Sequence, residues 1–474
     1  MIKQALESGQ SAKFDIIGFL GERVHATGVY IQQKRVYGFK DLDMLRQKYK
    51  VDKLVITNDD LTFGFKERII NRCLELGIKI LTVPPSDQWI YGKLKLKQIQ
   101  DLRIEDLLQR DPIKISDVNV FSQLSDKRIL ITGAGGSIGS EIVRQVLRYN
   151  PSMLILCDQA ESDLYNIQLE CQDLFPQVTV VVHIATVRSL ARMRIPFRYY
   201  RPEVVFHAAA YKHVPLMENH PTEAVHTNVV GTKHLADLSV FYHVERFVMI
   251  STDKAVNPTN IMGATKRLAE MYIQSLNDPS KLSKTKFMTT RFGNVLDSNG
   301  SVIPRFRAQI QAGGPVTVTH PDIVRYFMTI PEAVQLVLEA GSMGKGSEIF
   351  VFDMGKPVKI IDLAANMIKL AGLTVDKDIK IVFTGLRPGE KLYEELLNDE
   401  ESVLPTHHEK IKVAKVRASD PATVLHDITE LMTLSRGEDA KLMVKKMKEM
   451  VPEFKSQNSV FQDLDVKIQT PLSH

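Results

Sequence analysis

The chain has 474 residues, of which 44% are hydrophobic and 25% are charged, and its net charge at neutral pH is +5. This composition predicts an ordinary globular protein of two or three domains, and the small, dispersed charge argues against a nucleic-acid-binding protein. Three cysteines without metal-binding spacing, and the lack of an apolar run of ~18 residues, predict a cytoplasmic chain without a membrane span.

Residues 1–110 alternate short apolar strands, such as FDIIGFLG, KLVITND and IKILTVPP, with amphipathic helices such as KERIINRCLELG. This alternation predicts a small α/β domain of the Rossmann type. Because the chain opens on a predicted helix, MIKQALESG, with no strand before it, we expect a truncated unit of a longer natural chain. The domain contains no glycine loop, so we expect it to bind no dinucleotide. Residues 111–125 are predicted to form a linker, with Pro112 ending the preceding helix.

A second α/β pattern begins near residue 126 with KRILITGAGGSIGSEIVRQVL. Predicted strands follow at MLILCD, VTVVVHI, EVVFHAAA, RFVMIST and KFMTTRFG, separated by helical stretches. Shorter pieces after residue 300 are typical of a substrate lobe over the carboxyl ends of a parallel sheet. We therefore predict a doubly wound α/β (Rossmann) catalytic domain with a smaller substrate lobe over residues 126–400. Residues 401–474 are predicted to be mostly helical.

A glycine-rich motif, TGxxGxxG, joins the strand RILIT to the following helix. Glycines allow a sharp turn and a close approach to a pyrophosphate, and the helix N-terminus supplies N–H donors. Asp158 ends the next strand, where an acidic side chain binds the adenosine ribose and repels a 2′-phosphate. The pattern predicts a site for NAD in preference to NADP, and a glycine turn with a capping Asp is the alternative interpretation. The other predicted cofactor contacts are Thr132, Gly133, Gly136, Ser137, Ile138, Gly139, Ala208 and Ala209.

The stretch ISTDKAVNPTNIMGATKRLAE has Met262 where a short-chain dehydrogenase has the tyrosine of Tyr-x-x-x-Lys. A thioether cannot serve as an acid or a base. Lys266 lies one helical turn from Met262 on the same face, and the preceding loop offers Asp253 and Lys254 as an acid and a base. A helix-capping turn and a core methionine are the alternative interpretation of the same residues.

Further segments follow the glycine motif in a fixed order: HAAAYKHVPLME, NVVGT, STDKAVNP, MGATK, RFGNV, RYFMTI and GLRPGEKLYEELL. Together they resemble the bacterial UDP-N-acetylglucosamine 4,6-dehydratases of the extended short-chain dehydrogenase/reductase superfamily. The long branch of that family has Met at the tyrosine position and carries an N-terminal membrane segment and a Rossmann-like domain. The resemblance therefore implies a natural chain anchored to the inner membrane, facing the cytoplasm, through a segment absent here. Thr186 departs from the Asp with which this family often contacts adenine.

The resemblance implies transient oxidation at carbon 4 of the sugar by NAD, followed by loss of water across carbons 5 and 6. It implies that Asp253 is the acid for the 6-hydroxyl and Lys254 the base at carbon 5, while Thr252 binds the carbon 4 oxygen. Lys266 is expected to hold the nicotinamide ribose, and we expect burial and positive neighbours to lower the pKa of Lys254. The predicted substrate-binding residues are Lys212, His213, Asn294, Arg305, Arg325, Arg387 and Glu390.

Two other functions remain open. A nucleotide-sugar 4-epimerase uses the same oxidation at carbon 4 but does not need both Asp253 and Lys254. A non-catalytic dinucleotide-sensing protein would not need Lys266 together with the charged loop. We expect a UDP-sugar as the ligand, a homo-oligomer, no nucleic acid partner and, because His407 and His408 have no further ligands nearby, no metal site.

Overall fold

A computed structural model describes Leu6 and residues 14–22, 28–57, 61, 63–83, 99–102, 117–276, 284–395, 397, 402–416 and 420–467. The predicted opening helix, MIKQALESG, lies outside these residues except for Leu6. The chain divides into one unit of residues 1–111, 306–317 and 361–382 and another of residues 112–305, 318–360 and 383–474. The domain limits predicted from the sequence stay a prediction. Within the described part of the chain, no helix has both the length and the apolar character needed to cross a bilayer.

The strands vary in length, and the longest, of five or six residues, all belong to the second unit. In chain order they are β1 (Gly18–Leu20), β2 (Tyr30–Ile31), β3 (Lys34–Tyr37), β4 (Lys53–Ile56), β5 (Lys79–Thr82), β6 (Gln100–Asp101), β7 (Arg128–Thr132), β8 (Met153–Asp158), β9 (Thr179–Ile184), β10 (Val204–His207), β11 (Arg246–Ile250), β12 (Lys286–Arg291), β13 (Asn294–Val295), β14 (Val316–Val318), β15 (Val324–Arg325), β16 (Phe327–Met328), β17 (Ile349–Phe352), β18 (Val358–Lys359), β19 (Ile381–Phe383), β20 (Ser402–Pro405) and β21 (Ile411–Lys415).

Helices follow most of the strands, as an α/β pattern requires. In chain order they are α1 (Leu42–Tyr49), α2 (Phe63–Glu75), α3 (Asp117–Leu124), α4 (Ser137–Leu147), α5 (Glu161–Leu174), α6 (Leu190–Tyr200), α7 (Val214–Asn219), α8 (Pro221–Ala224), α9 (Gly231–Phe241), α10 (Ile261–Ser275), α11 (Val302–Gln311), α12 (Ile330–Met343), α13 (Ile360–Leu370), α14 (Pro421–Leu434) and α15 (Ala440–Met450). A π-helix, Val225–Val230, joins α8 to α9, and a 3₁₀ turn, Asp253–Ala255, follows β11.

The first unit contains a parallel pair, β4 and β5, with β6 antiparallel beside β5. Its core includes Ile56, Ile70, Cys73 and Ile80, all buried. A separate three-stranded sheet has the order β1-β3-β2. The described part of this unit therefore has the α/β character that the sequence predicts.

The second unit is built on a nine-stranded sheet of order β20-β21-β17-β12-β11-β10-β7-β8-β9. The strands from β17 to β9 pair in parallel, and their order reverses between β7 and β10. A dinucleotide or substrate binds beside such a reversal, at the carboxyl ends of the strands. The predicted doubly wound Rossmann fold is confirmed.

Two segments differ from the sequence analysis. Strand β21 pairs antiparallel with β17, and β20 pairs antiparallel with β21, both within residues predicted to be mostly helical. Strand β21 forms because its Ile411 and Ala414 are buried, and β20 pairs with its outer edge. Part of the predicted linker is helical, since α3 buries Val120 and Leu124, four residues apart, in the core of the second unit.

Helix α10 lies at the centre of the second unit. Of its 15 residues, all are buried except Met271 and Gln274, which are partly exposed. Its apolar side chains share one hydrophobic cluster with residues of α14 and α15, including Val424, Leu431 and Met443. The C-terminal helices therefore complete the core around the helix that carries Met262 and Lys266.

Candidate active site

The glycine motif forms a tight loop between β7 and α4. Gly133 has a φ of +71°, and a Cβ at this position would lie 2.7 Å from the backbone nitrogen of Ala209. A Cβ on Gly139 would overlap the carbonyl oxygen of Gly133. Gly133 is therefore required because the loop packs against the segment that follows β10, and Gly139 because α4 packs against the loop itself.

Helix α4 begins directly after this loop. Gly136 precedes the helix without a side-chain cap, and Ser137 and Ile138 form its first turn. The Ser137 hydroxyl accepts a hydrogen bond of 3.1 Å from the backbone N–H of Asn299. Helix N–H donors that lack a side-chain cap provide a binding position for a phosphate group.

Asp158 ends β8 and touches the glycine loop. Its Oδ2 accepts a hydrogen bond of 2.9 Å from the Gly135 N–H, and its Oδ1 accepts one of 3.0 Å from the Ala160 N–H. The carboxylate thus fixes the loop as well as standing where the sequence analysis expects the adenosine ribose. Because a carboxylate oxygen accepts more than one hydrogen bond, these contacts leave room for ribose hydroxyls. The loop, the helix end and the acidic residue together fit a dinucleotide such as NAD.

A buried polar chain supports the loop from the inside. Thr132 Oγ1 lies 2.8 Å from His207 Nδ1, and His207 Nε2 lies 2.9 Å from Thr232 Oγ1. Burial, with the nearby charge of Lys266, lowers the pKa of His207 to about 3, so this imidazole is neutral at physiological pH. The sequence analysis did not single out His207, although it lies in the quoted segment HAAAYKH.

The charged loop after β11 brings together the predicted acid and base. Asp253 Oδ1 accepts hydrogen bonds from the Thr252 hydroxyl at 2.8 Å and from Lys254 Nζ at 3.0 Å. Lys254 Nζ also donates to Asn294 Oδ1 at 3.1 Å. Asp253 is buried, with 1% of its side chain exposed, and its Oδ2 is enclosed without a hydrogen-bond partner among the described residues. The four polar groups therefore form one cluster.

The pKa of Lys254 moves in the direction opposite to the one expected from the sequence. Burial alone lowers the pKa, but the negative charges of Asp253 and Glu394 outweigh burial and the repulsion of Arg325, so the pKa is raised. The expectation was wrong for the unliganded protein because it considered the positive neighbours and not the ion pair. Lys254 is an ammonium in this state, and it becomes a base only after it has lost a proton.

Met262 and Lys266 occupy neighbouring turns of α10 with different surroundings. Met262 is part of the hydrophobic core, where no group is available to exchange a proton. Lys266 is also buried, and burial lowers its pKa to about 8 although Glu270 acts in the opposite direction. Lys266 therefore changes its charge close to physiological pH, whereas Met262 contributes packing.

Three of the predicted substrate residues meet in a second charged group. Arg325 Nη2 lies 3.6 Å from Glu390 Oε1, and Arg387 Nη2 lies 3.2 Å from the same oxygen. Arg325 also lies 3.7 Å from Glu394, a buried residue in the segment GEKLYEELL that the sequence analysis did not select. In the unliganded protein these arginines are paired with carboxylates, so a phosphate group would have to compete with those ion pairs.

The remaining predicted substrate residues are more scattered. Burial lowers the pKa of Lys212, and the pKa of His213 is lowered by burial and by the charges of Lys212 and Arg387. His213 precedes α7, and a Cβ on Gly300 would lie 2.6 Å from its ring. Arg305 lies exposed on α11, and none of the contacts above includes it.

Asn228 is a structural residue that the sequence analysis missed. Its side chain accepts a hydrogen bond of 2.8 Å from the Tyr211 N–H and donates bonds of 3.0 Å to the Tyr211 carbonyl and to Thr265 Oγ1. It therefore joins the π-helix to α10 and to the loop after β10. Asn228 is the first residue of NVVGT, one of the segments on which the family resemblance rests, so the sequence contained a pointer to it.

Comparison with known proteins places these features in a family. A family model described as polysaccharide biosynthesis protein matches residues 129–416. The chain belongs to this family. It is 48% identical over 387 residues to the capsular polysaccharide biosynthesis protein CapD of Staphylococcus aureus, a match that covers 81% of this chain and 64% of CapD. This chain therefore spans less than two thirds of the length of CapD.

Two further matches are a curated relative and a solved structure. A UDP-glucose 4-epimerase of Rickettsia bellii is 35% identical over 280 residues, which cover 58% of this chain and 79% of the epimerase. The X-ray structure of Pen from Bacillus thuringiensis superposes with a TM-score of 0.58 and 34% identity, covering 61% of this chain and 88% of Pen. The fold and the family are thus established, and the reaction must be argued from the residues of the site.

Proposed function

We propose that this protein is an NAD-dependent UDP-N-acetylglucosamine 4,6-dehydratase that produces UDP-2-acetamido-2,6-dideoxy-α-D-xylo-hexos-4-ulose. The observation that carries the proposal is the buried pair of Asp253 and Lys254, 3.0 Å apart, after β11. Elimination of water needs an acid for the departing hydroxyl and a base for the neighbouring carbon, and this loop offers one of each. Family membership supports a role in the synthesis of surface polysaccharide.

The cofactor in this proposal is NAD, held by the glycine loop, the N-terminus of α4 and Asp158. When bound, NAD supplies the transient oxidation at carbon 4 that makes the carbon 5 proton acidic. Lys266 is the residue proposed to hold the nicotinamide ribose, since it lies on α10 and changes its charge at about pH 8. Asp158 favours NAD over NADP because its carboxylate would repel a 2′-phosphate.

The residues of the loop divide the proton transfers between them. Lys254 removes the carbon 5 proton and returns it to the same face, which explains retention of configuration in the proposed product. Asp253 takes the proton of the 4-hydroxyl during the oxidation and passes it to the 6-hydroxyl, which leaves as water. Thr252 hydrogen-bonds the carbon 4 oxygen. Asn294 positions Lys254 through the hydrogen bond to its Nζ. We assign the pyrophosphate to Arg325 and Arg387 because arginine offers forked donors to phosphate.

The test is incubation of the protein with UDP-N-acetylglucosamine and NAD, followed by measurement of the nucleotide-sugar mass and of the carbon 5 configuration by NMR. Loss of one water with retention at carbon 5 is the expected result. Substrate deuterated at carbon 4 should give product deuterated at carbon 6. Label in the free cofactor, or inversion at carbon 5, would contradict the proposed mechanism.

The second candidate is a nucleotide-sugar 4-epimerase, which the similarity to the Rickettsia bellii protein favours. An epimerase would convert UDP-N-acetylglucosamine to its 4-epimer at constant mass. It would also retain activity in Lys254→Ala, because its reaction removes no proton from carbon 5. The same incubation therefore separates the two enzymes, and the absence of turnover with any UDP-sugar would favour a dinucleotide-sensing protein.

A further inference from the structure

Residues 455–459, here named the C-terminal segment, contact the candidate active site and have no role in the function proposed above. Two of their backbone N–H groups donate to the stretch of chain that precedes α10. The Lys455 N–H donates to the Pro258 carbonyl at 3.1 Å, and the Gln457 N–H donates to the Thr259 carbonyl at 3.1 Å. These bonds fix the C-terminal segment to the chain between the charged loop and α10.

A second set of bonds joins the C-terminal segment to the turn of residues 387–390, which contains an arginine assigned above to the pyrophosphate. The Gly389 N–H donates to the Gln457 carbonyl at 2.7 Å. The Gly389 carbonyl accepts a hydrogen bond of 3.1 Å from the Thr259 hydroxyl and one of 3.0 Å from Asn260 Nδ2. Gly389 is therefore held through its N–H by the C-terminal segment and through its carbonyl by the residues that precede α10.

The turn behaves as one unit that presents Arg387. The Arg387 N–H donates to Glu390 Oε2 at 3.1 Å, and the Glu390 N–H donates to the Arg387 carbonyl at 3.1 Å. Half of the Arg387 side chain is exposed, whereas Glu390 is largely buried. Because the ends of the turn are bonded to each other, the bonds at Gly389 determine where the exposed guanidinium lies relative to the charged loop. Small displacements of such a group weaken its contacts with a bound ligand.

The C-terminal segment is itself anchored by two buried charged residues. The Ser459 hydroxyl donates to Oε2 of Glu218, a residue of α7, and Glu218 Oε1 accepts a hydrogen bond of 2.7 Å from the Ile261 N–H at the start of α10. Lys448 of α15 donates to the Ser456 hydroxyl at 2.8 Å. Glu218 is 4% exposed and Lys448 is 3% exposed. The C-terminal segment is therefore a fixed support for the turn.

We propose that the C-terminal segment and Thr259 position the turn of residues 387–390 for binding the diphosphate of a nucleotide ligand. Thr259 is a positioning residue, because its hydroxyl acts on the ligand only through the Gly389 carbonyl. The inference rests on the proposed function for the identity of the ligand, a UDP-sugar, and for the assignment of Arg387 to its pyrophosphate. A displaced turn weakens binding of the ligand in every state of the reaction, so it raises KM and leaves kcat nearly unchanged.

The first experiment compares Thr259→Val with Thr285→Val. Both threonines are 5% exposed, and each donates its hydroxyl to a backbone carbonyl, that of Gly389 for Thr259 and that of Ser239 for Thr285. The dissociation constants of UDP and of NAD are measured by calorimetric titration, together with the melting temperature. Thr259→Val should raise the UDP constant about three- to tenfold, the effect of one lost hydrogen bond. Its NAD constant should not change, and Thr285→Val should leave both constants unchanged.

Thr259→Ser provides the conservative variant, because it keeps the hydroxyl, and it should bind UDP like the wild type. If the enzyme turns over UDP-N-acetylglucosamine, Thr259→Val should raise KM by a similar factor at nearly constant kcat. A purely structural role of Thr259 would weaken the binding of UDP and NAD together and lower the melting temperature. Equal losses for the two ligands, or an unchanged UDP constant in Thr259→Val, would overturn the proposal.

The second experiment uses the wild type and does not depend on the reaction or on the folding of a variant. Backbone hydrogen exchange is measured by peptide mass spectrometry with and without UDP. UDP should slow exchange in peptides that contain residues 387–390 and in those that contain residues 455–459, although only the turn is assigned a contact with the ligand. NAD alone should slow exchange at the glycine loop and leave both of these regions unchanged.

The outcomes separate this inference from the proposed function. Slower exchange at residues 387–390 without a change at residues 455–459 would overturn the inference, and so would a wild type that does not bind UDP. Loss of water from the UDP-sugar together with either of these results would leave the dehydratase standing without a role for the C-terminal segment. The expected binding and exchange without loss of water from any UDP-sugar would support the inference and refute the dehydratase.

Discussion

Met262 shows how a residue without acid–base chemistry can stand at a position associated with a catalytic tyrosine. It packs in the core of the second unit, while Asp253 and Lys254 lie in the charged loop. We predict that Met262→Leu retains most of the dehydratase activity, because leucine preserves the buried volume. Asp253→Asn should reduce kcat by roughly 10²–10⁴, the usual contribution of a general acid. The measurement is kcat with UDP-N-acetylglucosamine, with melting curves to verify folding. Equal inactivity of the two variants would contradict the assignment.

Lys266 leads to a prediction about stability. Its folded pKa of about 8 lies below the ordinary value of 10.5, so burial of its charge costs roughly 3 kcal/mol at pH 7. Between these two values the unfolded chain binds more protons, and the stability of the wild type therefore rises with pH. Lys266→Met should be more stable than the wild type at pH 7, and the difference should shrink by pH 9.5. Urea unfolding at both pH values measures this.

Activity provides the complementary measurement for Lys266. Lys266→Met should lose most of its turnover, because the proposed contact to the nicotinamide ribose is gone. A variant that is less stable than the wild type at pH 7 would show that Glu270 outweighs the burial of Lys266.

Sequence motifs predicted the residues of the charged loop and of α10, because Asp253, Lys254, Met262 and Lys266 are close together in the chain. Glu394 escaped notice because its ion pair with Arg325 depends on how the chain returns to the site, which spacing along the sequence does not encode. The direction of the pKa of Lys254 was mistaken for the same reason, since Glu394 is one of the two anions that set it.

The glycine loop allows a prediction at the scale of a structural element. A Cβ on Gly139 would overlap the carbonyl oxygen of Gly133 and also lie 2.6 Å from its carbonyl carbon, so the loop and α4 would have to separate. We predict that Gly139→Ala lowers the affinity for NAD by at least tenfold and lowers the melting temperature. Gly437→Ala is the control, because its Cβ would lie at an ordinary distance of 3.4 Å from the Leu434 carbonyl oxygen. Calorimetric titration with NAD would contradict this prediction if both variants bound like the wild type.

Elements with a strong internal pattern were predictable, and those that depend on distant partners were not. The strands from β7 to β12 follow apolar runs in the sequence, and their parallel order is the usual one for a doubly wound sheet. Strands β20 and β21 have mixed patterns. β21 is a strand because β17 offers an edge for pairing, and β20 then pairs with β21. Helix α3 lies within the residues predicted as a linker, and it is helical because it packs in the core of the second unit.

The whole second unit depends on the two C-terminal helices, which lie beyond the region that the family model matches. Met443 of α15 is 1% exposed within the cluster that contains Met262, whereas its neighbour Leu442 is 53% exposed. We predict that Met443→Ala lowers the free energy of unfolding by about 2–5 kcal/mol, through lost burial and a cavity. Leu442→Ala should change it by less than about 0.5 kcal/mol. Denaturant unfolding of both variants tests the prediction, and equal effects would contradict it.

Because α10 is enclosed along nearly its whole length, a change of sugar specificity cannot easily arise from that helix. Almost any substitution there would disturb the core before it altered recognition. By contrast, half of the Arg387 side chain is exposed, although its partner Glu390 is largely buried. Variation towards new ligands, in evolution or in directed selection, should therefore accumulate at exposed positions outside α10 and leave the helix nearly unchanged.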